Sequence, residues 1–392
     1  MNVALVNLIS KTADLPKGRI AKNPVPTSDL DLNITQLAKC MAAKGHEVTI
    51  YIADAYEPAT KCSLAGVEIV YVPTRLSSIL PPAVFPCTPN LKSQLKDKGF
   101  DIVQSGEVFQ LGTFYAHAAT KNTPAKFFIW QELDILMQGT AGTVQKQFYR
   151  TIGKRMSKHC KLIPRSKSAA DHLRTHGFAE EQLTTVVHSG VNCTTFCPLD
   201  KHEARQRFGL ENADQVVIAV GRFHINKGFD ILIKSAAIVR KNCPHFKLIL
   251  KGTGPEEEAL RLLVSKLELK ETVIFHTQYL NDQEMAMLYN CADLYVLCSR
   301  NDLFPFTAIE AIACGVPIVS SFQRGIESDI INEGAGVLTA AAPEEIAATI
   351  LELLADQDTL DNLRKKSRSL ALNEFDFNIS AERLCGIYEG AL

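Results

Sequence analysis

Short apolar segments typical of β-strands alternate with amphipathic helical patterns through the 392 residues of the chain. Neighbouring parallel strands require a crossover connection, and a helix usually provides it. Strands that alternate with helices therefore indicate a parallel sheet. The strands predicted in the first half are Val3–Leu8, Val48–Ile52, Val67–Val72, Ile102–Gln104, Phe127–Trp130, Lys161–Pro164 and Thr185–Val187. Those predicted in the second half are Val216–Val220, Lys247–Lys251, Val273–Phe275, Leu294–Cys298 and Pro317–Ser320. The alternation predicts an α/β fold built on parallel sheets.

The alternation restarts near Val216, after a polar linker with its boundary near Phe196–Pro198. A chain of this length exceeds one ordinary hydrophobic core. We therefore predict two Rossmann-like domains with doubly wound parallel sheets, residues 1–197 and 198–375, and a C-terminal helix, 376–392, that packs back on the first. Ligands of such sheets bind at the carboxyl ends of the strands, so the domains are expected to face each other across a cleft for two substrates.

The composition argues against several classes of protein. The formal net charge of −1 is not that of a dedicated nucleic-acid binder. The chain has no apolar run of roughly 18 residues that would span a membrane. The N-terminal "MNVALVNLIS" resembles a first strand rather than a signal peptide. The eleven cysteines are scattered and lack zinc-site spacing, so reduced thiols in a cytoplasmic protein are expected.

Two cations follow the strand predicted at Val216–Val220. Gly221 lets the backbone turn close to a ligand, and Arg222 and Lys227 follow it in "VGRFHINKG", at a strand-to-helix turn. Arginine holds a phosphate with a planar fork, and lysine adds a movable charge. We predict that both cations bind an anion. The alternative is that both are solvated surface cations. Their occurrence together beside a glycine makes this alternative less favoured.

A second turn in the same half contains two glycines. Gly252 and Gly254 in "LILKGTGP" follow a strand and precede a helix, where the backbone can approach a flat ligand. A plain turn with Pro255 at a helix start explains the two glycines equally well. Both interpretations stay open.

The segment "CSRNDLFPFTAIEAIACGVPIVSS" combines a loop with a short helix. Asp302 lies in the loop, and a helix is predicted at Thr307–Cys314. Glu310 lies one turn into that helix, and the amides of Phe306 and Thr307 at its N-terminus suit a phosphate. Carboxylates beside an anion site are acceptors for hydroxyl groups, as on a sugar or a ribose. Taken singly, Asp302 can instead be a loop cap, and Glu310 can instead be a solvated helix residue.

Several stretches of the sequence resemble a known family. "GRFHINKG", "LILKGTGP" and "DLFPFTAIEAIACGVPIVSS" are similar to the nucleotide-sugar half of a retaining glycosyltransferase of family 4, with the GT-B fold. "LAKCMAAKGHEVTIY", "VVHSGVNCTTFCP" and "FDFNISAERLCGIYEGAL" resemble that family's first helix and second strand, its domain junction and its C-terminal helix. The resemblance covers nearly the whole chain and is strongest in the second half.

The resemblance implies a role for each matching residue. Arg222 and Lys227 would hold the diphosphate of a UDP- or GDP-sugar, Asp302 would contact the sugar, and Glu310 would bond the ribose. The other donor-binding positions that it implies are Gly221, Gly252, Gly254, Phe306 and Thr307. The implied mechanism is front-face: a hydroxyl of a glycan or lipid-linked acceptor attacks beside the departing phosphate, which takes the proton. It requires no protein nucleophile, no cofactor and no metal.

Two Asp-x-Asp pairs superficially match a metal-binding motif. They are Asp29 with Asp31 and Asp356 with Asp358. Both pairs flank predicted helix starts, where Asp is a favoured cap. We predict that neither binds a metal ion.

The sequence departs from the family pattern at three places. Asp302 stands where the family usually has Glu. The first strand-to-helix loop, residues 10–33, is long and Pro-rich, with only Gly18 in place of a glycine pair. In many members a His follows the strand that corresponds to Phe127–Trp130, whereas Gln131 follows it here. Because of these departures, the hypothesis that the protein is a catalytically silent GT-B subunit stays open. A GT-B epimerase or phosphorylase is the second alternative.

The first domain offers candidates for acceptor contact. Four polar side chains follow predicted strands there: Glu107, Gln110, Gln131 and Glu132. That they are ordinary loop residues is an equally supported interpretation. The 10–33 loop is expected to shape the acceptor site or to close over it as a lid, with a surface excursion as the alternative.

A basic region occupies residues 146–174. Nine Lys and Arg side chains and a single acidic residue, Asp171, lie between residues 140 and 177. A helix with a solvated basic face is the favoured interpretation. Contact of this face with an anionic membrane that carries a lipid-linked acceptor is the second hypothesis.

Overall fold

The computed structural model describes residues 1–9, 33–54, 62–64, 66–80, 85–137, 139–300, 304–321 and 324–392. Within these residues the chain forms two compact units. The first comprises Met1–Gly190 with Phe377–Leu392, and the second comprises Val191–Asp376. Asp302 and nearly all of the 10–33 loop, with its Asp-x-Asp pair, lie outside the described residues.

A seven-stranded sheet forms the centre of the first unit. Its strands are β1 (Asn2–Val6), β2 (Glu47–Ala53), β3 (Cys62–Leu64), β4 (Val67–Val72), β5 (Ile102–Gly106), β6 (Lys126–Gln131) and β7 (Lys161–Pro164). The spatial order is β3-β4-β2-β1-β5-β6-β7, and only the β3–β4 pair is antiparallel. Along β1, Val3 and Leu5 pack into one hydrophobic cluster and Ala4 and Val6 into another. The sheet is therefore covered on both faces, as in a doubly wound fold.

The helices of the first unit cover these two faces. They are α1 (Asn33–Ala43), α2 (Leu91–Asp97), α3 (Leu111–Thr120), α4 (Gly139–Phe148), α5 (Lys154–Ser157) and α6 (Lys167–Thr175), with a π-helical turn at Tyr149–Gly153 between α4 and α5. The C-terminal helix, Phe377–Glu389, also belongs to this unit. Tyr388 of that helix donates a hydrogen bond of 2.5 Å to Gln104 Oε1 in β5, and its ring packs at a tilt against Phe128, with the ring centroids 5.0 Å apart. Both contacts are buried, so they hold the end of the chain on the first sheet.

A six-stranded, fully parallel sheet forms the centre of the second unit, in the order β10-β9-β8-β11-β12-β13. Its strands are β8 (Gln215–Val220), β9 (Phe246–Lys251), β10 (Val273–His276), β11 (Leu294–Leu297), β12 (Ile318–Ser320) and β13 (Gly336–Leu338). The first strand of this unit, β8, lies between β9 and β11. The direction of winding therefore reverses at β8, which is where ligands of open α/β sheets bind.

Seven helices accompany the second sheet among the described residues. They are α7 (Lys201–Arg207), α8 (Phe229–Asn242), α9 (Glu257–Lys266), α10 (Asp282–Asn290), α11 (Phe306–Ala313), α12 (Pro343–Ala355) and α13 (Gln357–Leu370). A 3₁₀ turn at Ile225–Lys227 precedes α8, and π-helical turns lie at Glu327–Ile331 and Ala371–Phe375.

The predicted α/β class with two doubly wound sheets is confirmed, and one predicted strand is wrong. Thr185–Val187 is not a strand, although the amides of Thr184 and Val187 donate to the carbonyls of Leu162 and Pro164 at 2.9 and 3.0 Å. The segment runs beside the edge strand β7 without forming a ladder with it. The sequence analysis also missed β3 and β13, because three-residue strands are too short to show an alternating pattern.

The division between the units falls earlier than the predicted boundary at residues 197 and 198. The Val191 amide donates to the Phe375 carbonyl at 2.7 Å. The Arg368 guanidinium donates to the carbonyls of Cys193 and Phe196 at 3.0 and 2.9 Å. These bonds attach residues 191–197 to the second unit.

Gly228 provides a stability test at the junction of the 3₁₀ turn and α8. Its φ is +69°, and a Cβ at this position would lie 2.0 Å from the Cys298 carbonyl oxygen. Gly209 has a φ of +67° with no atom within 4 Å, so it is a matched control. We expect Gly228→Ala to lower the free energy of unfolding, measured by urea titration, by about 1–3 kcal/mol more than Gly209→Ala. Equal losses would show that the contact with Cys298 is easily relaxed.

Candidate functional site

Three loops of the second unit meet at the carboxyl edge of its sheet. Gly221 follows β8, Gly252 follows β9 and Ser299 follows β11. Since β8 pairs in parallel with both β9 and β11, these strand ends are neighbours. The candidate residues that the sequence analysis took from separate motifs are thus brought to one edge.

Lys227 lies directly over the end of β8. Its Cδ and Cε atoms are both 3.8 Å from the position that a Cβ would take on Gly221. The side chain is half-buried and lines a small pocket with Gly228 and Ser299. Arg222, the next residue after Gly221, is exposed. The structure therefore places two cations at the winding-reversal point of the sheet.

Arg300 holds the loop that carries Lys227. Its amide donates to the Asn226 carbonyl at 2.7 Å, and its Nη1 donates to the Ile225 carbonyl at 2.6 Å. Its guanidinium also binds both carboxylate oxygens of Asp230, each at 2.8 Å. The Arg300 hydrogen bonds hold the pKa of Asp230 below its usual value. Sequence reasoning missed this clamp, because nothing in the sequence pairs Arg300 with a helix that begins so far upstream.

The glycines after β9 are required by packing between two loops. A Cβ on Gly252 would lie 1.9 Å from the Gly221 carbonyl oxygen, and one on Gly254 would lie 2.4 Å from the Phe223 carbonyl oxygen. The Phe223 amide donates to the Thr253 carbonyl at 2.9 Å. The glycines therefore allow the loops after β8 and β9 to touch, which accounts for them without a ligand.

Helix α11 begins at Phe306, one residue before the predicted start, with Pro305 at its N-cap. The Thr307 hydroxyl lies 2.8 Å from the hydroxyl of Tyr295, a buried residue of β11. Tyr295 also donates to the Val220 carbonyl at 3.4 Å. The first turn of α11 is thus linked through Tyr295 to the end of β8, the strand that precedes Gly221 and Arg222.

Glu310 is a half-buried carboxylate on the second turn of α11. The hydroxyl of Tyr289, which is fully buried, donates to its Oε2 at 2.7 Å. Its Oε1 accepts no hydrogen bond from any residue that the structure describes. Burial raises the pKa of Glu310 to about 7, although the Tyr289 bond acts in the opposite direction. The site therefore holds a partly desolvated acceptor that a ligand hydroxyl would satisfy.

In the first unit, Glu107 and Gln131 bind each other. Glu107 has a φ of +61°, and its carboxylate accepts from Gln131 Nε2 at 2.7 Å and from the amides of Glu132 and Leu133 at 2.8 and 3.0 Å. Gln131 is fully buried, and its Oε1 accepts from the Val108 amide at 3.1 Å. Burial, with the charge of Glu132, raises the pKa of Glu107 to about 8. The two side chains join the ends of β5 and β6.

The other two candidates of the first unit lie close by. Glu132 is exposed and pairs with the buried Arg165 at 3.2 Å, and Gln110 is the N-cap residue of α3. Both lie beyond the carboxyl ends of the first sheet, the edge that the sequence analysis expected to face an acceptor.

The basic region forms a continuous helical segment, α4, the π-helical turn and α5, over residues 139–157. This segment contains no acidic residue. Lys146, Arg150 and Arg155 are exposed on it, together with Val144 at 60% and Ile152 at 47%. Its outer face therefore combines positive charge with exposed apolar side chains.

Metal-ligand groupings are rare in the part of the chain that the structure describes. The one group of three is Glu211, Asp214 and His245, and it lies just before β8 and β9, at the amino edge of the sheet. Asp356 accepts from the Thr359 amide at 3.0 Å as the N-cap of α13, which confirms the predicted capping role.

The described helices include none that could span a membrane.

Comparison with known proteins identifies the class to which this fold belongs. The model of the family described as "Glycosyltransferase Family 4" matches residues 33–195, and that described as "Glycosyl transferases group 1" matches residues 200–370. The chain belongs to glycosyltransferase family 4 and has the GT-B fold of that class of transferases.

Its curated relatives include several named enzymes. The D-inositol 3-phosphate glycosyltransferase of Segniliparus rotundus is 30% identical over 258 residues, 64% of this chain and 57% of the relative. The mannosylfructose-phosphate synthase of Agrobacterium fabrum is 32% identical over 196 residues, 47% of this chain and 42% of the relative. The chain thus spans about half the length of the curated relatives that it matches.

Solved structures match over the full length of the chain. Sucrose-phosphate synthase from Thermosynechococcus elongatus superimposes with a TM-score of 0.75 at 20% identity, covering 100% of this chain and 98% of that one. Alr3699/HepE from Anabaena, solved in complex with UDP, superimposes with a TM-score of 0.73 at 16% identity, covering 100% of both chains. At these identities the likeness shows the fold.

Proposed function

We propose that this protein transfers a sugar from a UDP- or GDP-sugar to a hydroxyl of a glycan or lipid-linked acceptor, with retention of anomeric configuration and without a metal ion. The observation that carries the proposal is the joint placement of Lys227 over Gly221, with Arg222 beside it, and of Glu310 on α11. The first pair suits a diphosphate, and the carboxylate suits a ribose. A family 4 fold presents both at the edge where ligands of such sheets bind.

The diphosphate is the leaving group of this reaction, so its negative charge grows as the glycosidic bond breaks. Arg222 and Lys227 supply two positive charges there, and Arg300 holds the loop that carries Lys227. The N-terminus of α11 adds a partial positive charge and the amides of its first turn. Charge placed before the reaction stabilises the transition state more than the ground state.

The proposed mechanism is front-face. In that mechanism the acceptor hydroxyl attacks the anomeric carbon on the side of the departing phosphate, and a phosphate oxygen takes its proton. No carboxylate of the chain has to become a nucleophile. Asp302, outside the described residues, remains the proposed contact for the sugar hydroxyls.

Release of sugar from the donor distinguishes this proposal from its two alternatives. A transferase without acceptor hydrolyses UDP- or GDP-sugars slowly to a free sugar, which chromatography detects. A catalytically silent subunit releases none, and an epimerase yields an isomerised sugar. An epimerase or phosphorylase would also need an acid and a base, and Glu107 already accepts three hydrogen bonds from its own unit.

The cations provide the first test of the donor site. Arg222→Ala and Lys227→Ala should each raise the barrier of the transfer reaction by about 2–4 kcal/mol, measured as the loss of kcat/KM. Lys241→Ala is the control, because this exposed lysine lies at the opposite end of α8. Unchanged turnover in both site variants would remove the diphosphate from this position.

Glu310 makes the affinity for a free nucleoside diphosphate depend on pH. Glu310 is protonated below its pKa of about 7 and ionised above it, and only the ionised form has full acceptor strength for ribose hydroxyls. Glu310→Gln should therefore weaken binding much more at about pH 8 than at about pH 6. Calorimetry at both pH values compares the two proteins with the same ligand, so ionisation of the phosphate cancels. An equal loss at both values would contradict the ribose contact.

Transfer should continue in an excess of chelator. The charge of the diphosphate is met by Arg222, Lys227 and the N-terminus of α11, and the Glu211–Asp214–His245 group lies at the other edge of the sheet. The assay runs in EDTA, with added magnesium as the control. Complete loss of transfer in EDTA that magnesium restores would contradict this charge assignment.

A lipid-linked acceptor would agree with the exposed basic face of residues 139–157. We expect the protein to sediment with phosphatidylglycerol vesicles and not with phosphatidylcholine vesicles, because cations near an anionic surface contribute about 1 kcal/mol each. The double substitution of Lys146 and Arg150 by Glu should abolish this sedimentation, and Lys241→Glu should not affect it. Sedimentation that is insensitive to the double substitution would exclude this face as the contact.

A further inference from the structure

A second cavity of the second unit lies at the C-terminal end of α11, the opposite end from Thr307. It is open to solvent and has a volume of about 630 Å³. Its walls come from the segment at Pro198–Leu199, the end of α10, the C-terminal end of α11 and the second half of α13. None of its lining residues lines the pocket beside Lys227. The two cavities are therefore separate.

The charged groups of this cavity are all positive. Of the described residues that line it, four are cationic and none is acidic: Lys201, Arg364, Lys365 and Arg368. Arg368 is held by carbonyl oxygens, with Nη1 at 2.6 Å from Ala313 O and at 2.9 Å from Phe196 O. Its charge has no carboxylate among these partners.

One buried carboxylate behind the wall serves three cations. Asp293 is 8% exposed and binds Lys201, Arg205 and Arg364, the last two at 2.9 and 3.0 Å. It also accepts from the Val216 amide at 2.8 Å. One negative charge cannot neutralise three positive ones, and Arg364 has its second partner, Asp361, on the exposed side of α13.

Lys201 is half-buried among these charges. Burial lowers its pKa, and the charges of Arg364 and Arg205 lower it further, against the attraction of Asp293. A bound anion would relieve this repulsion. Lys365 is exposed at the rim and makes no ion pair or hydrogen bond with any part of the chain that the structure describes, so it is available to a ligand.

The remaining lining sets the size and character of the ligand. Pro198, Ala292, Val316 and Leu372 form apolar wall, beside the cations. Cavities of about 300–1,000 Å³ are the size that binds small molecules. A phosphate group with a compact organic body matches both the charge and the apolar wall, since a phosphate offers oxygens to several Lys and Arg side chains at once.

We propose that this cavity is a second binding site, for a phosphomonoester, with its phosphate among Lys201, Arg364 and Lys365. The ester can be a soluble sugar phosphate or the headgroup of an anionic lipid. The proposal goes beyond the transfer reaction, because no residue of the donor site takes part in it.

Two neighbouring lysines on α13 give a matched pair of variants. Lys365 lines the cavity, whereas Lys366 is also exposed but packs over Gly334, with its Cδ 2.9 Å from the position of a Cβ there. Lys365→Glu and Lys366→Glu change the net charge equally. Circular dichroism checks that both variants keep the fold.

Calorimetry with glucose 6-phosphate tests the site, in saturating nucleoside diphosphate so that the donor site is occupied. We expect binding to the wild type and to Lys366→Glu, and an affinity lower by about tenfold or more in Lys365→Glu. Glucose, which lacks the phosphate, should not bind. A nucleoside diphosphate that fails to bind would contradict the proposed function, while the comparison of the two lysine variants would still test this cavity.

Vesicles distinguish the two sources of the phosphate. Phosphatidic acid vesicles are compared with phosphatidylglycerol vesicles in sedimentation with the same three proteins, because the basic face of residues 139–157 is expected to bind both kinds of vesicle equally in all three. Binding to phosphatidic acid that Lys365→Glu alone weakens, without binding of glucose 6-phosphate, would identify a lipid headgroup. Two results would overturn the proposal: both probes bind the three proteins equally, or neither probe binds.

Discussion

The carboxyl edge of the sheet in the second unit depends on backbone contact between three loops. Gly252 lets the loop after β9 touch Gly221, and Gly228 lets the start of α8 touch the Cys298 carbonyl at the end of β11. A side chain at either glycine would separate these loops by more than an ångström. At this edge Lys227 lies over Gly221, and Arg300 binds both the 3₁₀ turn and Asp230. The loop that carries Lys227 is thus held by close backbone packing and by Arg300.

The same edge carries a polar network that holds α11. Tyr295 links Thr307 to the end of β8, and Tyr289 binds one oxygen of Glu310. A half-buried carboxylate with one bonded oxygen costs stability in the absence of a ligand, which the raised pKa of Glu310 expresses. Such an arrangement is typical of binding sites, where a ligand supplies the missing partners. The proposed ribose contact gives this cost a functional reason.

The first unit uses polar groups differently. Glu107 and Gln131 follow strands as acceptor contacts would, yet they bind each other and the backbone between β5 and β6. A left-handed Glu107 and a fully buried Gln131 act there as a brace for two loops. Of the four candidates at this edge, Glu132 is exposed, Glu107 and Gln110 are half-buried, and Gln131 is buried.

The sequence by itself determined the fold class and the motifs of the proposed donor site. Alternating strands and helices fix parallel sheets, and Arg222, Lys227 and Glu310 lie within short motifs whose local geometry brings them to strand ends. Only the tertiary structure decided the partners of these residues. Arg300 meets Asp230, Tyr289 meets Glu310, and Lys201 shares Asp293 with Arg364, although long stretches of sequence separate the members of each pair. Which helix packs beside which strand determines such contacts, and no periodicity in the sequence records it.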